Sequence, residues 1–319
     1  MTLHPLHLAA IVSAGIPGIY PVGAQELPDA VRGYDAAVIQ DSAERRWRVL
    51  APQDAETSIR LEAEHLILQS FTPALRARLP FAVPTVAGTV PYDGRSVFIY
   101  TYVPGKSYSI NNLAALNAQV ARAAGAHRDL AQEIGTDIAT LHVTPEDIIY
   151  EADLPSYSAE ELRVRKASEL ERAAASGHIP ADLLHYWRML LSPEHPMWQF
   201  RPRVVHGSLD SEKLVLNRGK VVEVTGWSEL HVGDPAIDFA WLYSCEDTDF
   251  ADRIIEIYRQ QMPQLPDAYL AARAEFYADF ATARWLLNGM NSGNDEMVQT
   301  ALSIMLDIQD DLRATGRIS

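Results

Sequence analysis

Residues 204–242 read VVHGSLDSEKLVLNRGKVVEVTGWSELHVGDPAIDFAWL and carry the most information about the fold. A short apolar run leads into His206-Gly207, and a second apolar run follows a polar stretch. The segment KLVLNRGKVVEV has the pattern of a β-hairpin that turns at residues 217–219. The stretch ends in GDPAIDFAWL, in which Asp234 before Pro235 is typical of a helix cap. We therefore predict a loop between two short strands, then a hairpin, then a helix.

On the N-terminal side of this stretch, the first hundred residues are rich in β patterns. YDAAVIQD at 34–41 and RRWRVLAP at 45–52 have the pattern of paired strands, and GRSVFIYTYVPG at 94–105 is also β-rich. A helix is predicted from about Thr57. Beyond residue 105 the pattern is mainly helical and includes a capping box at Ser158 and Glu161.

This order of elements predicts an α+β, bilobal fold. The N-terminal lobe, 1–104, would contain a short N-terminal helix, an antiparallel sheet and one helix. The helical C-terminal lobe, 105–319, would contain the loop and hairpin at 203–224. A cleft between the lobes is the expected place for a ligand.

Composition excludes several classes of protein. The chain has 319 residues, 48% of them apolar, and a formal net charge of −15. That charge repels phosphate backbones, so we predict no binding to nucleic acid. One cysteine allows no intramolecular disulfide. The apolar N-terminal run is too short to span a bilayer and lacks a basic start, so we predict a cytoplasmic protein without membrane attachment.

Taken together, these motifs resemble the aminoglycoside and macrolide phosphotransferase family, whose fold is similar to that of protein kinases. The resemblance is carried by FIYTYVPGKSY (98–108), LAQEIGTDIATLHVTPED (130–147), the His-Gly loop and GDPAIDFAWL. It implies a hinge at Tyr102 and a nucleotide in the cleft. It also implies a loop of the form HGDxxxxN followed by an aspartate before a tryptophan, which together hold Mg²⁺ and accept the substrate proton.

Three positions depart from that pattern. Ser208 replaces the aspartate that acts as base, Lys213 replaces the metal-binding asparagine, and Gly226 replaces the metal-binding aspartate. A serine hydroxyl is a poor base at neutral pH, and an ammonium group repels a cation instead of ligating it. Glycine offers no ligand atom. These replacements argue against Mg²⁺ binding, and we predict no metal site.

In the N-terminal lobe, the family pattern places a phosphate-binding lysine near RWRVLAP. Arg48 and Leu50 lie on the same strand face, and either could occupy that position. The spacing between Trp47 and Pro52 favours Leu50, and Arg48 could still reach phosphate. Glu64, or else Glu62, is expected to pair with that basic residue. The phosphate-covering loop would lie near residues 30–37, with Gly33 as its glycine.

The remaining motif residues have a structural interpretation and a chemical one. His206, Gly207, Gly233, Asp234 and Asp238 are interpreted as the frame of the loop. Asp210 and Glu223 could substitute for the lost base and metal ligand. Alternatively, Lys213 could neutralise phosphate directly, so that Arg48, Glu64, Tyr102 and Lys213 would form the nucleotide site.

Three functions remain open on this basis. The first is a pseudokinase that binds a nucleotide, another anion or a protein partner in the cleft. The second is an active ATP-dependent phosphotransferase for a small molecule, with Asp210 and Glu223 in relocated roles. The third is a regulatory interaction protein with a vacant cleft. ATP or another nucleotide is the cofactor that the resemblance implies, and the acceptor is undetermined.

Overall fold

The N-terminal lobe is built on a five-stranded antiparallel sheet. The computed structural model describes residues 3–27, 33–123 and 129–318. In the order β1-β2-β3-β5-β4, the strands are Pro21–Glu26 (β1), Tyr34–Asp41 (β2), Arg46–Pro52 (β3), Val86–Tyr92 (β4) and Arg95–Thr101 (β5). The described helices of this lobe are Pro5–Gly15 (α1), Ala55–Ser70 (α2) and the single turn Pro73–Arg76 (α3).

The two faces of this sheet have different roles because side chains alternate along each strand. On β3, Val49 packs with Leu8 of α1 in a small separate core. Leu50 points to the opposite face and packs with Leu61 of α2 in the main core. Arg48 shares the face of Leu50, and this face borders the cleft.

The C-terminal lobe consists mainly of helices around four short strands. Its helices are Ile110–Ala123 (α4), Leu130–His142 (α5), Asp147–Glu151 (α6), Ala159–Ala174 (α7), Ala181–Leu190 (α8), Thr248–Gln261 (α9), Leu270–Ser292 (α10) and Asp295–Ala314 (α11). Its strands are Arg203–Val205 (β6), Leu214–Asn217 (β7), Lys220–Val224 (β8) and His231–Gly233 (β9). Strand β6 pairs with β9 and β7 pairs with β8, both antiparallel. Short 3₁₀ segments cover Pro196–Trp198, Ser211–Lys213, Trp227–Glu229 and Pro235–Ser244.

Backbone hydrogen bonds join the β7–β8 hairpin to both the N-terminal lobe and the hinge. The Lys106 amide donates to the Leu216 carbonyl at 2.9 Å, and the Leu216 amide donates back at 2.8 Å. On the other strand, the Ala82 amide donates to Val222 at 2.9 Å, and the Val224 amide donates to the Ala82 carbonyl at 3.0 Å. The hairpin therefore fixes the loop between β6 and β7 against the hinge.

The predicted α+β, bilobal fold is confirmed, and three details differ from the sequence prediction. Strand β1 was missed because its residues are mostly exposed and lack an alternating apolar pattern. Helix α2 begins at Ala55 instead of near Thr57, since the Asp54 side chain accepts from the Thr57 amide at 2.7 Å. The long C-terminal helical region is broken at Gly293, whose φ of 64° ends α10. No helix of the described ranges is long and apolar enough to cross a membrane.

Candidate functional site

A large cleft between the lobes contains nearly all of the predicted site residues. Its volume is about 1540 Å³. Its walls are the cleft face of the sheet with α2, the hinge, the β6–β7 loop, the start of β9, and the facing sides of α7 and α10. Of the predicted residues, those that line it are Arg48, Leu50, Glu64, Tyr102, Gly207, Ser208, Asp210, Lys213, Glu223, Gly226 and Asp234.

The backbone of the loop is held by one buried carboxylate. Asp238 accepts from the amide of His206 at 2.8 Å and from the amide of Gly207 at 2.8 Å. The ring of His142 lies 3.1 Å away, with Nε2 facing the same carboxylate. Gly207 has a φ of 82°, and a Cβ there would collide with the carbonyl of Glu229, so this position requires glycine. Asp238 therefore sets the loop geometry and does not face the cleft.

His206 is buried in a neutral form. Its Nε2 lies 2.9 Å from the Thr225 carbonyl. A carbonyl only accepts, so Nε2 carries the proton and Nδ1 is left with a lone pair. Among the described residues Nδ1 has no hydrogen-bond partner, and the ring packs 4.6 Å from Trp227. Burial, reinforced by the positive charge of Lys213, lowers the pKa of His206 to about 4.

This pKa predicts a pH-dependent loss of stability. Below pH 6.5 the unfolded chain takes up a proton on His206 that the folded chain does not. The free energy of unfolding should therefore fall by about 1.4 kcal/mol per pH unit, and by about 3 kcal/mol at pH 4. Urea unfolding between pH 7 and pH 4 should show this in the difference between the native chain and His206→Asn. Comparing the two proteins cancels the contribution of Asp137, which increases stability as the pH falls. Burial raises the pKa of Asp137 to about 8. Parallel pH dependences of the two proteins would contradict the prediction.

The three replaced positions lie together in the structure. The ammonium of Lys213 donates to the carbonyl of Ser208. The stem of Lys213 lies against Gly226, where an added Cβ would be 2.9 Å from Cε and 3.0 Å from Cδ. Gly226 itself has a φ of 80°. The lysine thus occupies the space into which a side chain at residue 226 would project.

Asp210 is tied to the loop. One of its oxygens accepts from the amides of Glu212 at 2.9 Å and Lys213 at 3.1 Å, so it caps the short 3₁₀ turn. The other oxygen lies 3.3 Å from Nζ of Lys213. The carboxylate is therefore engaged as a cap and as the counter-ion of Lys213.

The expected pairing between Arg48 and Glu64 is wrong. Arg48 pairs with Glu223 of β8 at 3.3 Å and stacks on Tyr100 at 5.1 Å. Burial raises the pKa of Glu223, an effect that the charge of Arg48 opposes. Glu64 instead accepts from the amides of Gly226 at 3.0 Å and Trp227 at 3.1 Å. Glu64 therefore supplies the acceptor for the two amides that begin this turn.

Leu50 is 7% exposed and packs in the main core, so the expected lysine position is apolar. Of the predicted phosphate-covering loop, residues 30–32 lie outside the described residues. Gly33 is described and has a φ of 83°. Within the described part of strand β3, the cation that lines this side of the cleft is therefore Arg48. Arg48 is already paired with Glu223.

Sequence reasoning missed a buried ion network behind the site. Asp234 accepts from Ala236 at 2.9 Å, from Arg273 at 2.8 Å and from the Tyr277 hydroxyl at 3.0 Å. Arg273 also binds Asp267 at 2.6 Å. The signal available was a lone arginine in an apolar stretch of α10. The network anchors α10 to Gly233-Asp234 at the end of β9.

The groups present do not fit Mg²⁺ at the family position. The place of two oxygen ligands is taken by an ammonium and a glycine, and the ammonium would repel the ion. In the parts of the chain that the structure describes, no group of three or more His, Cys, Asp and Glu side chains could hold a metal ion.

Comparisons with known proteins agree on the architecture. A model of the phosphotransferase enzyme family matches residues 31–285. Three similar solved structures are a macrolide 2′-phosphotransferase apoenzyme from Brachybacterium faecium, a type I macrolide 2′-phosphotransferase, and the GDP complex of aminoglycoside 2′-phosphotransferase-IIIa. Their identities are 17%, 20% and 15%, and their TM-scores are 0.73, 0.72 and 0.74. They cover 93%, 96% and 97% of this chain, and 97%, 98% and 99% of theirs. At such identities the likeness shows the fold alone. The comparison with curated proteins gave no match.

Proposed function

The chain belongs to the phosphotransferase enzyme family, and on that premise we propose that its cleft binds a phosphate-bearing small molecule without Mg²⁺ and has lost efficient phosphoryl transfer. A nucleotide is the first candidate, since the family's fold implies it. The related aminoglycoside 2′-phosphotransferase-IIIa was solved with GDP. In this proposal the protein is a pseudokinase that acts by binding.

One observation carries this proposal: Lys213 lies over Gly226. Its ammonium lines the cleft and is held by the Ser208 carbonyl and by Asp210. A fixed positive charge at this point can take over part of the neutralisation that Mg²⁺ provides in kinases, because phosphate oxygens accept charge-assisted hydrogen bonds from an ammonium. The same charge disfavours the metal.

The hinge side of the cleft supports a nucleotide base. Tyr102, Val103 and Gly105 line it along the hinge, and Leu50 and Val215 provide apolar surface above and below. Mostly apolar walls with a few polar groups are typical of small-molecule sites. The β7–β8 hairpin forms the wall of the cleft between the hinge side and Lys213.

The contacts of the substitute carboxylates favour loss of catalysis over relocation. A general base contributes about 10²–10⁴ to the rate, and Ser208 cannot supply it. Asp210 is engaged by two amides and one ammonium. Glu223 is buried and paired with Arg48. Oε1 of Glu223 has no hydrogen-bond partner among the described residues, but the side chain is only 2% exposed, which limits its access to a substrate hydroxyl.

Metal-independent binding is the result expected for this proposal. ATP and ADP should raise the Tm equally in EDTA and in Mg²⁺, with about 2.7 kcal/mol of stabilisation at 100 times Kd. Lys213→Met should weaken nucleotide binding about tenfold, the loss of one hydrogen bond to a charged group. Lys220→Met is the matched control, since Lys220 is exposed on β8 and does not line the cleft.

Two other results would each overturn the proposal. Stabilisation that needs Mg²⁺, together with phosphate transfer to a hydroxylated acceptor, would establish an active phosphotransferase with relocated carboxylates. The absence of any shift with ATP, ADP, GTP and GDP would favour the interaction protein with a vacant cleft.

A further inference from the structure

The wall of the cleft opposite the N-terminal lobe carries a concentration of positive charge. It is formed by one face of α7 and by the middle of α10, and its cations are Arg165, Lys166, Arg172 and Arg284. We propose that this wall, which we call the α7–α10 wall, is an anion-binding subsite for a second small molecule that carries phosphate or carboxylate groups. This inference rests on the proposed function only in that the cleft binds ligands.

The charges on the α7–α10 wall do not cancel. Its one carboxylate, Glu169, lies 2.8 Å from Nζ of Lys166 and 3.3 Å from Nε of Arg284. Four cations therefore face one carboxylate that two of them already share, which leaves a surplus of three positive charges. In a chain with a net charge of −15, such a local surplus runs against the overall composition. A cleft that concentrates one sign of charge attracts ligands of the opposite sign.

Two of the four cations are available to a ligand. Arg165 and Arg172 are exposed, and they lie seven residues apart on α7, which places them about 10 Å apart along one helix face. Neither takes part in an ion pair within the described parts of the chain. Lys166 and Arg284 are engaged with Glu169, so Arg165 and Arg172 are the residues that we expect to bind the anion.

Arg165 is held in place by an aromatic platform. Its guanidinium lies 4.4 Å from the ring centre of Tyr157, and the Tyr157 ring contacts His231 edge-on at 5.6 Å. The imidazole of His231 lies 2.7 Å, by its Nδ1, from the Glu229 carbonyl. A stacked arginine loses less rotamer freedom when it binds, and a planar guanidinium matches phosphate and carboxylate in two parallel hydrogen bonds.

The remaining acids of the cleft lie on other walls. Glu56 and Glu64 belong to α2, and Asp210, Glu212, Glu223 and Glu229 belong to the segment between β6 and β9. Asp234 follows β9 and is paired with the buried Arg273. A polycation placed on the α7–α10 wall would meet four like charges. The wall therefore selects an anionic ligand and disfavours a polyamine such as kanamycin.

The test is titration calorimetry with inorganic pyrophosphate in EDTA. The Arg165→Gln/Arg172→Gln double variant should weaken pyrophosphate binding at least about tenfold, as expected for the loss of two charge-assisted contacts. Arg78→Gln/Arg218→Gln is the matched control, because it removes two positive charges from exposed positions that do not line the cleft and that form no ion pair among the described residues. The control should change pyrophosphate affinity less than about threefold, since it does not alter the α7–α10 wall. Lys213→Met shows whether pyrophosphate binds instead at the position proposed for the nucleotide phosphates. Circular dichroism and Tm will verify that each variant is folded.

The outcomes separate this inference from the nucleotide proposal. Pyrophosphate binding that is lost in Lys213→Met and kept in the double variant would place the anion at Lys213 and overturn the inference, while the nucleotide proposal would stand. Loss in the double variant alone supports the inference even if no nucleotide binds. A chain that binds no pyrophosphate, or that binds kanamycin more tightly than pyrophosphate, would also overturn it.

Discussion

The Asp238→Asn variant is expected to lose about 3–5 kcal/mol of unfolding free energy, the usual effect of removing one member of a buried charged network. Asp238 is fully buried. It accepts hydrogen bonds from the amides of His206 and Gly207, and it faces Nε2 of His142. An amide in its place would direct an NH₂ group at one of these donors, leaving a buried donor without an acceptor. Burial alone would raise the pKa of Asp238, but the hydrogen bond from His142, with the nearby backbone amides, keeps it below its ordinary value.

This expectation can be measured by urea denaturation at pH 7, followed by tryptophan fluorescence and circular dichroism. Trp227 packs on His206 and should report the loop directly. Asp310→Asn is the matched control, because Asp310 is 77% exposed and forms a surface ion pair with Arg313 at 3.6 Å. A surface pair of this kind contributes about 0–1 kcal/mol. Equal losses in the two variants would mean that Asp238 does not hold the loop.

The sequence was sufficient for the fold because its signals are local. His206-Gly207 after an apolar strand, the Asn-Arg-Gly turn and the Asp-Pro helix start each depend on a few neighbouring residues. Each of these conformations is favoured by its own residues before any tertiary contact forms. Strand β1 is the counterexample. It pairs through its backbone with β2 and carries few buried side chains, so no periodicity marks it.

The candidate site was predicted in its positions and only partly in its contacts. Strand alternation placed Arg48 and Leu50 on the cleft face correctly. It could not identify the partner of Arg48, since Glu223 is 175 residues away in the chain. Glu64 was assigned to a basic residue, whereas it accepts from the backbone amides of Gly226 and Trp227 in another segment of the chain. Partner choice of this kind depends on tertiary geometry.

Lys213 and Gly226 are better understood as one coupled replacement than as two losses. The stem of Lys213 fills the space beside Gly226, and any side chain at residue 226 would have to displace it. An aspartate at residue 226 alone would meet that stem and would adopt a φ of 80°, which costs a non-glycine residue about 1–2 kcal/mol. Changing one of the two positions is therefore not expected to create the metal site of the family pattern.

The Ser208→Asp/Lys213→Asn/Gly226→Asp triple variant is accordingly expected to bind ATP with Mg²⁺ and to hydrolyse it, which the single variants should not do. Asparagine at residue 213 removes the Cδ and Cε atoms that block residue 226, so both oxygen ligands can approach a metal. We expect Mg²⁺ to tighten ATP binding at least about tenfold in the triple variant and to leave the native chain unchanged. ATP hydrolysis should rise by about 10² or more, the lower limit for a general base in position.

The single variant Gly226→Asp separates this coupling from a simple gain of charge. It should be less stable than the native chain by about 1–2 kcal/mol and should show no metal dependence, because Lys213 still occupies the space and still repels the ion. The Lys213→Asn/Gly226→Asp double variant should keep the cost of a non-glycine residue at a φ of 80°. It should bind Mg²⁺-ATP, because asparagine at residue 213 frees the space, but it should not hydrolyse ATP, since the base is still absent. Metal dependence in Gly226→Asp alone would mean that Lys213 moves aside freely. In that case the ammonium would not be the group that keeps Mg²⁺ out. The glycine at residue 226 would then by itself account for the lack of Mg²⁺ binding by the native chain.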